Sequence, residues 1–252
     1  MASVQVASAP TPAGEVLGIP IHVTTMSDAL RWVQTFIHER VPRLVVTLDA
    51  GGLVLATRDR EWAKLLASAD LITPDSSGIV WALRRSGLAI RGRVAGCDMA
   101  GELCRLSQQH GYRVYLLGAA PGVAEKAARA LATAYPGCCI VGSYHGYFRE
   151  SEEPEVLARI IEAKPDILLV AMGMPRQEKW IARHRERLGV PVSIGVGGTL
   201  DVYAGVAKRA PRAFQRLGLE WLWRVARNPR KVGKVLTLPT FVLMVLRNQT
   251  VV

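Results

Sequence analysis

A cluster of polar and charged residues stands where a strand pattern gives way to a helix pattern, between residues 165 and 180. The apolar run 167–172 is too short for a core helix and is typical of a strand buried on both faces. A Gly-x-Pro turn follows, and then a charged segment with helical spacing from Arg176 to Leu188. Ligands of parallel α/β sheets bind at the carboxyl ends of strands, beside helix N-termini that attract anions. The side chains of Gln177 and Glu178, in the first helical turn, are therefore expected to point at a ligand held by this loop, with ordinary helix capping as the alternative.

Two aspartates follow consecutive strand patterns nearer the start of the chain. Asp49 comes directly after the buried-strand pattern 44–48, which contains Thr47, and Asp75 comes shortly after the run 71–73. Because ligands collect at the carboxyl edge of a parallel sheet, both carboxylates are expected to face the same cleft. Carboxylates that lie close together disfavour each other's ionisation, so one of the two pKa values is expected to be high.

Glycines stand at the predicted turns Gly118, Gly142, Gly173 and Gly197. Because glycine has no Cβ atom, these turns would let backbone N–H groups approach a diphosphate. The first turn has the spacing GxxxG rather than GxGxxG, and no acidic residue after the next strand is placed to hold an NAD ribose. The pattern therefore favours a nucleotide other than NAD. The alternative is that each glycine only makes a tight turn.

The elements that must position these residues alternate between strands and helices. Such alternation predicts a Rossmann-like α/β fold, a mostly parallel sheet with helices on both faces. Asp98 is expected to cap the helix that ends at His110. The predicted strands are 16–23 (a strand pair or a strand with a turn), 44–48, 71–73, 113–117, 139–142, 167–172 and 192–196, and the other helices are 28–39, 53–68, 79–86, 123–135, 151–164 and 176–188.

The length of 252 residues, half of them hydrophobic, suits one large α/β domain with a small appendage. Residues 1–14 are rich in Ala, Ser and Pro and are predicted to be a flexible tail rather than a signal peptide. Residues 15–204 form the predicted catalytic core, and residues 205–252 the appendage. Four cysteines without metal-like spacing indicate reduced thiols in a cytoplasmic protein: Cys97, Cys104, Cys138 and Cys139.

A net charge of +11 indicates an anionic partner: phosphates, nucleic acid or an acidic membrane face. Nucleic acid is the least favoured of these because zinc-finger spacing and an RNA-binding aromatic pattern are missing. The appendage interleaves arginines and lysines with Trp221, Leu222 and Trp223, which is typical of an interfacial amphipathic helix. A helix docked on its own domain with a solvated basic face is the alternative. The apolar run 235–246, broken by Pro239, is shorter than the roughly 20 residues that span a bilayer.

Several motifs occur in order along the chain and together resemble the WecG/TagA/CpsF family of bacterial glycosyltransferases. They are Thr73-Pro74-Asp75, Arg93 to Asp98, Val114 to Gly118, Gly173 to Trp180, Gly195 to Gly198 with Asp201, Arg209-Ala210-Pro211 and Gly218 to Trp221. The resemblance implies an inverting, metal-independent transferase that uses a UDP-sugar and needs no cofactor. It implies an acceptor such as undecaprenyl-diphosphate-GlcNAc at the cytoplasmic membrane face, where the protein would be peripherally bound. The implied donor is UDP-ManNAc in the teichoic-acid branch, and UDP-ManNAc-uronate or UDP-glucose in others.

The same resemblance implies roles for individual residues. Inverting transfer needs a general base and stabilisation of the leaving UDP, and Asp75 matches the family's proposed base. Three further residues match catalytic positions or contacts to phosphate or sugar: Thr47, Arg93 and Gln177. Asp49 is also predicted to be a catalytic residue, but it stands where the family usually has asparagine, which leaves the donor sugar open. The residues expected to hold UDP are Gly118, Ala119, Gly142, Gly173, Gly197 and Asp201, and those expected at the acceptor diphosphate or the membrane are Arg209, Arg216 and Arg224.

The partners predicted for the transferase include a second copy of the chain in a homo-oligomer. Two other function classes remain open at this stage. A nucleotide-dependent dehydrogenase is disfavoured by the turn at Gly118. A non-catalytic, membrane-bound sugar-nucleotide sensor is disfavoured by the presence of Asp75, Arg93 and Gln177.

Overall fold

Residues 10–216, 218–227 and 237–247 are described by the computed structural model of the protein. A short antiparallel hairpin, β1 (Gly14–Val16) with β2 (Ile19–Ile21), precedes a six-stranded sheet. The sheet order is β4-β3-β8-β7-β5-β6, and every neighbouring pair in it is parallel. Its strands are β3 (Arg43–Leu48), β4 (Leu71–Pro74), β5 (Arg113–Gly118), β6 (Cys139–Tyr144), β7 (Ile167–Ala171) and β8 (Val192–Gly195). The predicted parallel α/β fold is confirmed.

Helices cover both faces of this sheet, which is why its central strands are continuously apolar. In β7 all five residues are buried; Leu168 and Val170 belong to one core, and the residues between and beside them belong to the other. The first face carries α2 (Ala50–Ala56), α3 (Arg60–Ala67), α4 (Ser77–Arg85), α7 (Glu153–Ala163) and α8 (Arg176–Leu188). The second face carries α1 (Met26–Glu39), α5 (Gly96–His110), α6 (Val123–Ala134) and α9 (Thr199–Tyr203).

Three local predictions were wrong. The predicted helix 53–68 is two helices, since the Asp59 carboxylate accepts a hydrogen bond from the N–H of Trp62 and starts α3 anew. Asp98 does not cap α5; the N-cap residue is Ala95. Gly142 lies inside β6 rather than in a turn, and a Cβ atom there would collide with the Tyr115 ring.

Three short helices follow the core within the described residues: α10 (Arg212–Arg216), α11 (Glu220–Arg227) and α12 (Thr237–Arg247). The last of these packs against α2 and α4, burying Phe241 and Val245 in the core of the first face. A Cβ atom at Gly78 of α4 would lie 3.3 Å from the Phe241 ring. The apolar run near the C-terminus is therefore docked on its own domain along one side.

Within residues 10–216, 218–227 and 237–247, no helix has both the length and the apolarity to cross a bilayer. Residues 1–9 of the predicted flexible tail lie outside the described residues, as do Arg230, Lys231 and Lys234 of the basic appendage. The side chains of Arg216 and Arg224 also lie outside the described part.

Candidate active site

The topology of the sheet predicts a crevice at the centre of its carboxyl edge, because neighbouring strands send the chain to opposite faces. The chain leaves β3 and β7 toward α2 and α8 on the first face, but leaves β5 and β8 toward α6 and α9 on the second. In the sheet, β8 lies between β3 and β7, and β5 lies beyond β7. Such switch points are where open α/β sheets bind ligands. Asp49, Asp75, Ala119, Gly173 and Gly197 lie in loops that follow the strands at this edge.

Asp49 and Asp75 lie at adjacent strand ends, as predicted. They directly follow Leu48 of β3 and Pro74 of β4, which are paired in register, and the Asp75 N–H donates to the Leu48 carbonyl at 2.9 Å. The Asp49 carboxylate also caps α2 by accepting from the N–H of Gly52 at 2.8 Å. The two aspartates are thus held by neighbouring backbone at one end of the crevice.

The carboxamide of Gln177 ties together the loops that follow β7 and β8. Its Oε1 atom accepts from the N–H of Gly173 and from the N–H of Gly197, both at 3.0 Å. Its Nε2 atom donates to Oε1 of Glu178 at 2.7 Å. The side chain is 2% exposed and its oxygen has two donors. That Gln177 contacts substrate, and that these two N–H groups contact a diphosphate, stay predictions.

Glu178 is a fully buried carboxyl beneath this crevice. Burial raises its pKa, the hydrogen bond from Gln177 lowers it and the nearby Asp49 charge raises it, and the net pKa is about 7. The charge of Asp49 is therefore one of the causes of the raised pKa of Glu178. The sequence places Glu178 in the first turn of α8 beside the predicted ligand, whereas the structure buries its carboxyl beneath that site.

Thr47 is buried on β3 and holds the end of the neighbouring strand. Its hydroxyl donates to the carbonyl of Gly195 at 2.9 Å. A Cβ atom at Gly96, the first residue of α5, would lie 2.8 Å from that hydroxyl oxygen. The hydroxyl therefore fixes the spacing of β3, β8 and α5, and the predicted catalytic role of Thr47 stays a prediction.

Arginines and carboxylates form a cluster beside Asp75, and the cluster joins the appendage to the core. Arg93 pairs with Glu220 of α11, and the guanidinium of Arg209 binds the Asp98 carboxylate in bidentate fashion at 2.6 and 2.7 Å. The Nε atom of Arg209 lies 3.6 Å from Glu220. Arg209 accordingly holds the pKa of Asp98 below its usual range.

The position of this cluster is shown by neighbouring groups. The N–H of Val94 donates to the Pro74 carbonyl at 2.8 Å, which brings Arg93 to the end of β4 just before Asp75. Burial raises the pKa of the Cys97 thiol, and the charges of Arg209, Asp98, Asp75 and Glu220 also act on that thiol. The predicted base and two predicted cationic residues therefore share one end of the crevice.

The turn after β5 forms the other end of the crevice. Gly118 has a φ of 135°, and a Cβ atom there would collide with the Ala171 carbonyl. The Ala119 N–H donates to that carbonyl at 2.8 Å, and Arg176 donates to the carbonyl of Gly146 at 3.2 Å. The requirement for glycine at 118 is thus a close approach to β7, and the Ala119 N–H is engaged within the protein.

Asp201 lies in the first turn of α9, just beyond the glycine loop that follows β8. Its backbone carbonyl accepts from the N–H of Ala207 at 2.9 Å, which ties the start of the appendage to the core. Whether its carboxylate contacts a ribose or a base stays a prediction. Among the described residues, no group of three or more His, Cys, Asp or Glu side chains is arranged to hold a metal ion.

Comparison with known proteins identifies the family to which this chain belongs. The model of the glycosyl transferase WecG/TagA/CpsF family matches residues 14–251. The chain belongs to this family. Relatives of this WecG/TagA/CpsF protein include the N-acetylglucosaminyldiphosphoundecaprenol N-acetyl-beta-D-mannosaminyltransferases of Staphylococcus aureus strains MW2, NCTC 8325 and COL. Each is 32% identical over 235 residues, which cover 92% of this chain and 92% of the relative.

Membership of the WecG/TagA/CpsF family confirms the resemblance that the motifs indicated. Two residues of those motifs gain contacts that sequence reasoning did not assign, namely Glu220 and Arg176. Both were visible in the sequence as charged residues within otherwise apolar or helix-start motifs. Their partners are remote in sequence, so a local pattern could not identify them.

Proposed function

We propose that the protein transfers N-acetylmannosamine from its UDP conjugate to the GlcNAc of an undecaprenyl-diphosphate-linked acceptor. The observation that carries the proposal is the cluster at the end of β4, where Asp75 lies near two arginines of the family motifs, Arg93 and Arg209. The names of the relatives supply the acceptor and the sugar. The polymer that the product serves would be a cell-wall or surface polysaccharide of the teichoic-acid type.

The proposed reaction is a single displacement with inversion. Asp75 accepts the proton of the GlcNAc hydroxyl as that oxygen forms a bond to the anomeric carbon of the donor sugar. The bond from the anomeric carbon to the β-phosphate oxygen breaks, and its electron pair leaves with UDP. Cationic groups stabilise that leaving charge best when they are already in place. Arg93 and Arg209 are candidates, and a bound diphosphate would replace Glu220 and Asp98 as their partner.

The choice of ManNAc over its uronate follows from the negative charge at the end of β3, next to Asp75. Asp49 lies at the end of β3, and Glu178 is buried nearby. A third carboxylate on the donor sugar would be repelled by these groups, whereas a neutral sugar would not. UDP-glucose remains the neutral alternative donor.

The surface of α12 supports docking to an anionic membrane. While Phe241 and Val245 face the core, Leu243 and Leu246 are 54% and 39% exposed on the opposite side of the helix. Arg247 at the end of the helix is also exposed. Apolar side chains beside cationic ones are typical of a helix that lies in a membrane interface. Such docking would bring the protein to a polyprenyl-linked acceptor.

The experiment is a UDP-release assay with a short-chain lipid-diphosphate-GlcNAc acceptor and a panel of UDP-ManNAc, UDP-ManNAc-uronate, UDP-glucose and UDP-GlcNAc. We expect acceptor-dependent UDP release with UDP-ManNAc above all others, and a product with the anomeric configuration opposite to that of the donor. Absence of acceptor-dependent release with every donor would contradict the proposal.

A further inference from the structure

The carboxamide of Gln177 works at this site only in one orientation. The N–H groups of Gly173 and Gly197 both point at it, so only its oxygen can satisfy them. A rotation of the amide by half a turn would place its NH₂ group against two donors. The acceptor on the other side, Oε1 of Glu178, receives the NH₂ group and thereby selects the productive orientation.

The surrounding backbone leaves room for this carboxyl. A Cβ atom at Gly195 would collide with Oε1 of Glu178 and would lie 2.6 Å from Nε2 of Gln177. The hydroxyl of Thr47 holds the carbonyl of the same glycine at 2.9 Å. The end of β8 is therefore shaped around the Glu178 and Gln177 pair.

The carboxyl of Glu178 is not accounted for by stability. It is 0% exposed, and its Oε2 atom has no hydrogen-bond partner among the described residues. A buried polar atom without a partner destabilises a fold, and an apolar residue of similar size would avoid that cost. A carboxyl in this place therefore serves something other than packing.

The two glycines whose N–H groups donate to Gln177 border open space. Gly173 has a φ of 82° and Gly197 a φ of 55°, and a Cβ atom at either would meet no heavy atom within 4 Å. Both lie at the carboxyl ends of central strands, where the crevice is. Their backbone is thus held from below by Gln177 while its other side faces the cleft.

We propose that Glu178 is a positioning residue of the transfer site: by orienting the Gln177 carboxamide, it holds the loops after β7 and β8 in the shape that receives the nucleoside diphosphate of the donor. The inference rests on the proposed function for the identity of that ligand. It goes beyond that function by naming a residue that acts without touching substrate.

The protonation state of Glu178 bears on donor binding. Asp49, at the start of α2, is the charged group among the described residues whose field acts on Glu178, while Thr47 on β3 and Gly195 on β8 are uncharged. A protonated Glu178 adds no charge beneath the cleft. With a pKa of about 7, ionisation adds a second negative charge beside Asp49 as the pH rises through neutrality, and this charge repels a diphosphate. Donor binding should therefore weaken from pH 6 to pH 8.5.

The test compares Glu178→Gln, Glu178→Leu and a control, Glu186→Gln, in the full-length protein. Glu186 lies on the same helix and is 79% exposed at its side chain. The measurements are the Kd of UDP by calorimetry, the KM and kcat of the donor between pH 6 and pH 8.5, and the ¹⁵N–¹H signals of Gly173 and Gly197.

We expect Glu178→Leu to shift both glycine signals and to lower kcat/KM roughly 10- to 100-fold, mostly through KM, because misplaced binding groups cost about that much. Glu178→Gln can accept from Gln177 through its own oxygen, so at pH 6 it should stay within about threefold of the wild type while losing the pH dependence of donor KM. The Glu186→Gln control should match the wild type in all three measurements.

Unshifted glycine signals and an unchanged KM in Glu178→Leu would overturn the inference. So would a Glu178→Gln variant that keeps the wild-type pH dependence, and this second readout decides the matter alone if Glu178→Leu does not fold. If the wild type transfers no sugar, but UDP binding weakens in Glu178→Leu and not in Glu178→Gln, the transferase proposal fails and the positioning role stands.

Discussion

At the scale of single residues, the buried Glu178 gives the clearest consequence for stability. Its folded-state pKa of about 7 lies above the ordinary 4.5 of a glutamate. A carboxyl with a raised pKa favours folding fully below the unfolded pKa, and that advantage is lost as the pH rises toward the folded pKa. The difference corresponds to about 3 kcal/mol, since one pKa unit is worth about 1.4 kcal/mol.

We therefore expect Glu178→Gln to gain stability relative to the wild type as the pH rises from 5 to 8. Glutamine keeps the shape and the acceptor but cannot ionise, so the wild type alone bears the cost of a buried charge. Urea unfolding at the two pH values measures the difference, with Glu186→Gln as the exposed control. An equal difference between variant and wild type at pH 5 and at pH 8 would show that Glu178 is not the titrating group.

A second residue-scale consequence concerns Glu220, which contacts Arg93 and Arg209 and so competes with any anion for them. An ion pair of this kind is worth about 1 kcal/mol, or roughly fivefold in affinity. We expect Glu220→Gln to bind inorganic pyrophosphate several-fold more tightly in calorimetry. The control Glu155→Gln breaks an exposed pair with Arg159 on α7 and should change nothing. Weaker binding in Glu220→Gln would mean that Glu220 orients the arginines rather than competing for them.

At the scale of elements, α12 has two sides with different tasks. Burial of a phenylalanine such as Phe241 stabilises the docked helix, so the element remains on the core even in solution. Its exposed side chains, Leu243 and Leu246, do not contribute to that docking and are free to meet a membrane.

The double variant Leu243→Asp with Leu246→Asp should fold normally and lose most of its binding to anionic liposomes. Two carboxylates at the headgroup layer replace apolar contacts with repulsion from anionic lipid. Co-sedimentation with phosphatidylglycerol vesicles at low and high salt measures this, and binding of the wild type should fall as salt screens the attraction. Ile161→Asp places a carboxylate at an exposed apolar position of α7 and is the matched control. Undiminished liposome binding would assign the membrane contact to another surface.

Sequence patterns predicted helices and strands better than they predicted the contacts of individual side chains. The helix Arg176–Leu188 was predictable because burial of one stripe leaves a helical period, and the central strands because burial of both faces leaves a continuous apolar run. The break before α3 was missed because one aspartate cap, Asp59, overrides a continuous helical pattern. Asp98 satisfies the local rule for a cap, yet it binds Arg209, which is remote in sequence.

At the scale of the whole molecule, the charged residues and the sheet topology both indicate that the carboxyl edge of the sheet is the functional edge. The parallel sheet brings Asp49, Asp75, Gln177 and the turn at Gly118 to its carboxyl side, as the alternation of strands and helices predicted. The predicted boundary between the core and the appendage at residue 204 does not separate two packing units, because Phe241 of the appendage completes the core of the first face. A chain that ends after Gly205 would expose the surfaces of α2 and α4 that α12 covers.

The central claim is that Asp75 removes the acceptor proton, and Asp75→Asn tests it most directly. The measurement is acceptor-dependent UDP release from UDP-ManNAc at saturating donor, beside calorimetric binding of UDP. Asp49→Asn, which keeps the α2 cap through its side-chain oxygen, is the control. We predict that Asp75→Asn binds UDP within a few-fold of the wild type and turns over roughly 10²- to 10⁴-fold more slowly, the range for losing general base catalysis. Near-normal turnover in Asp75→Asn, with a large loss in Asp49→Asn instead, would contradict the account and move the base to the end of β3.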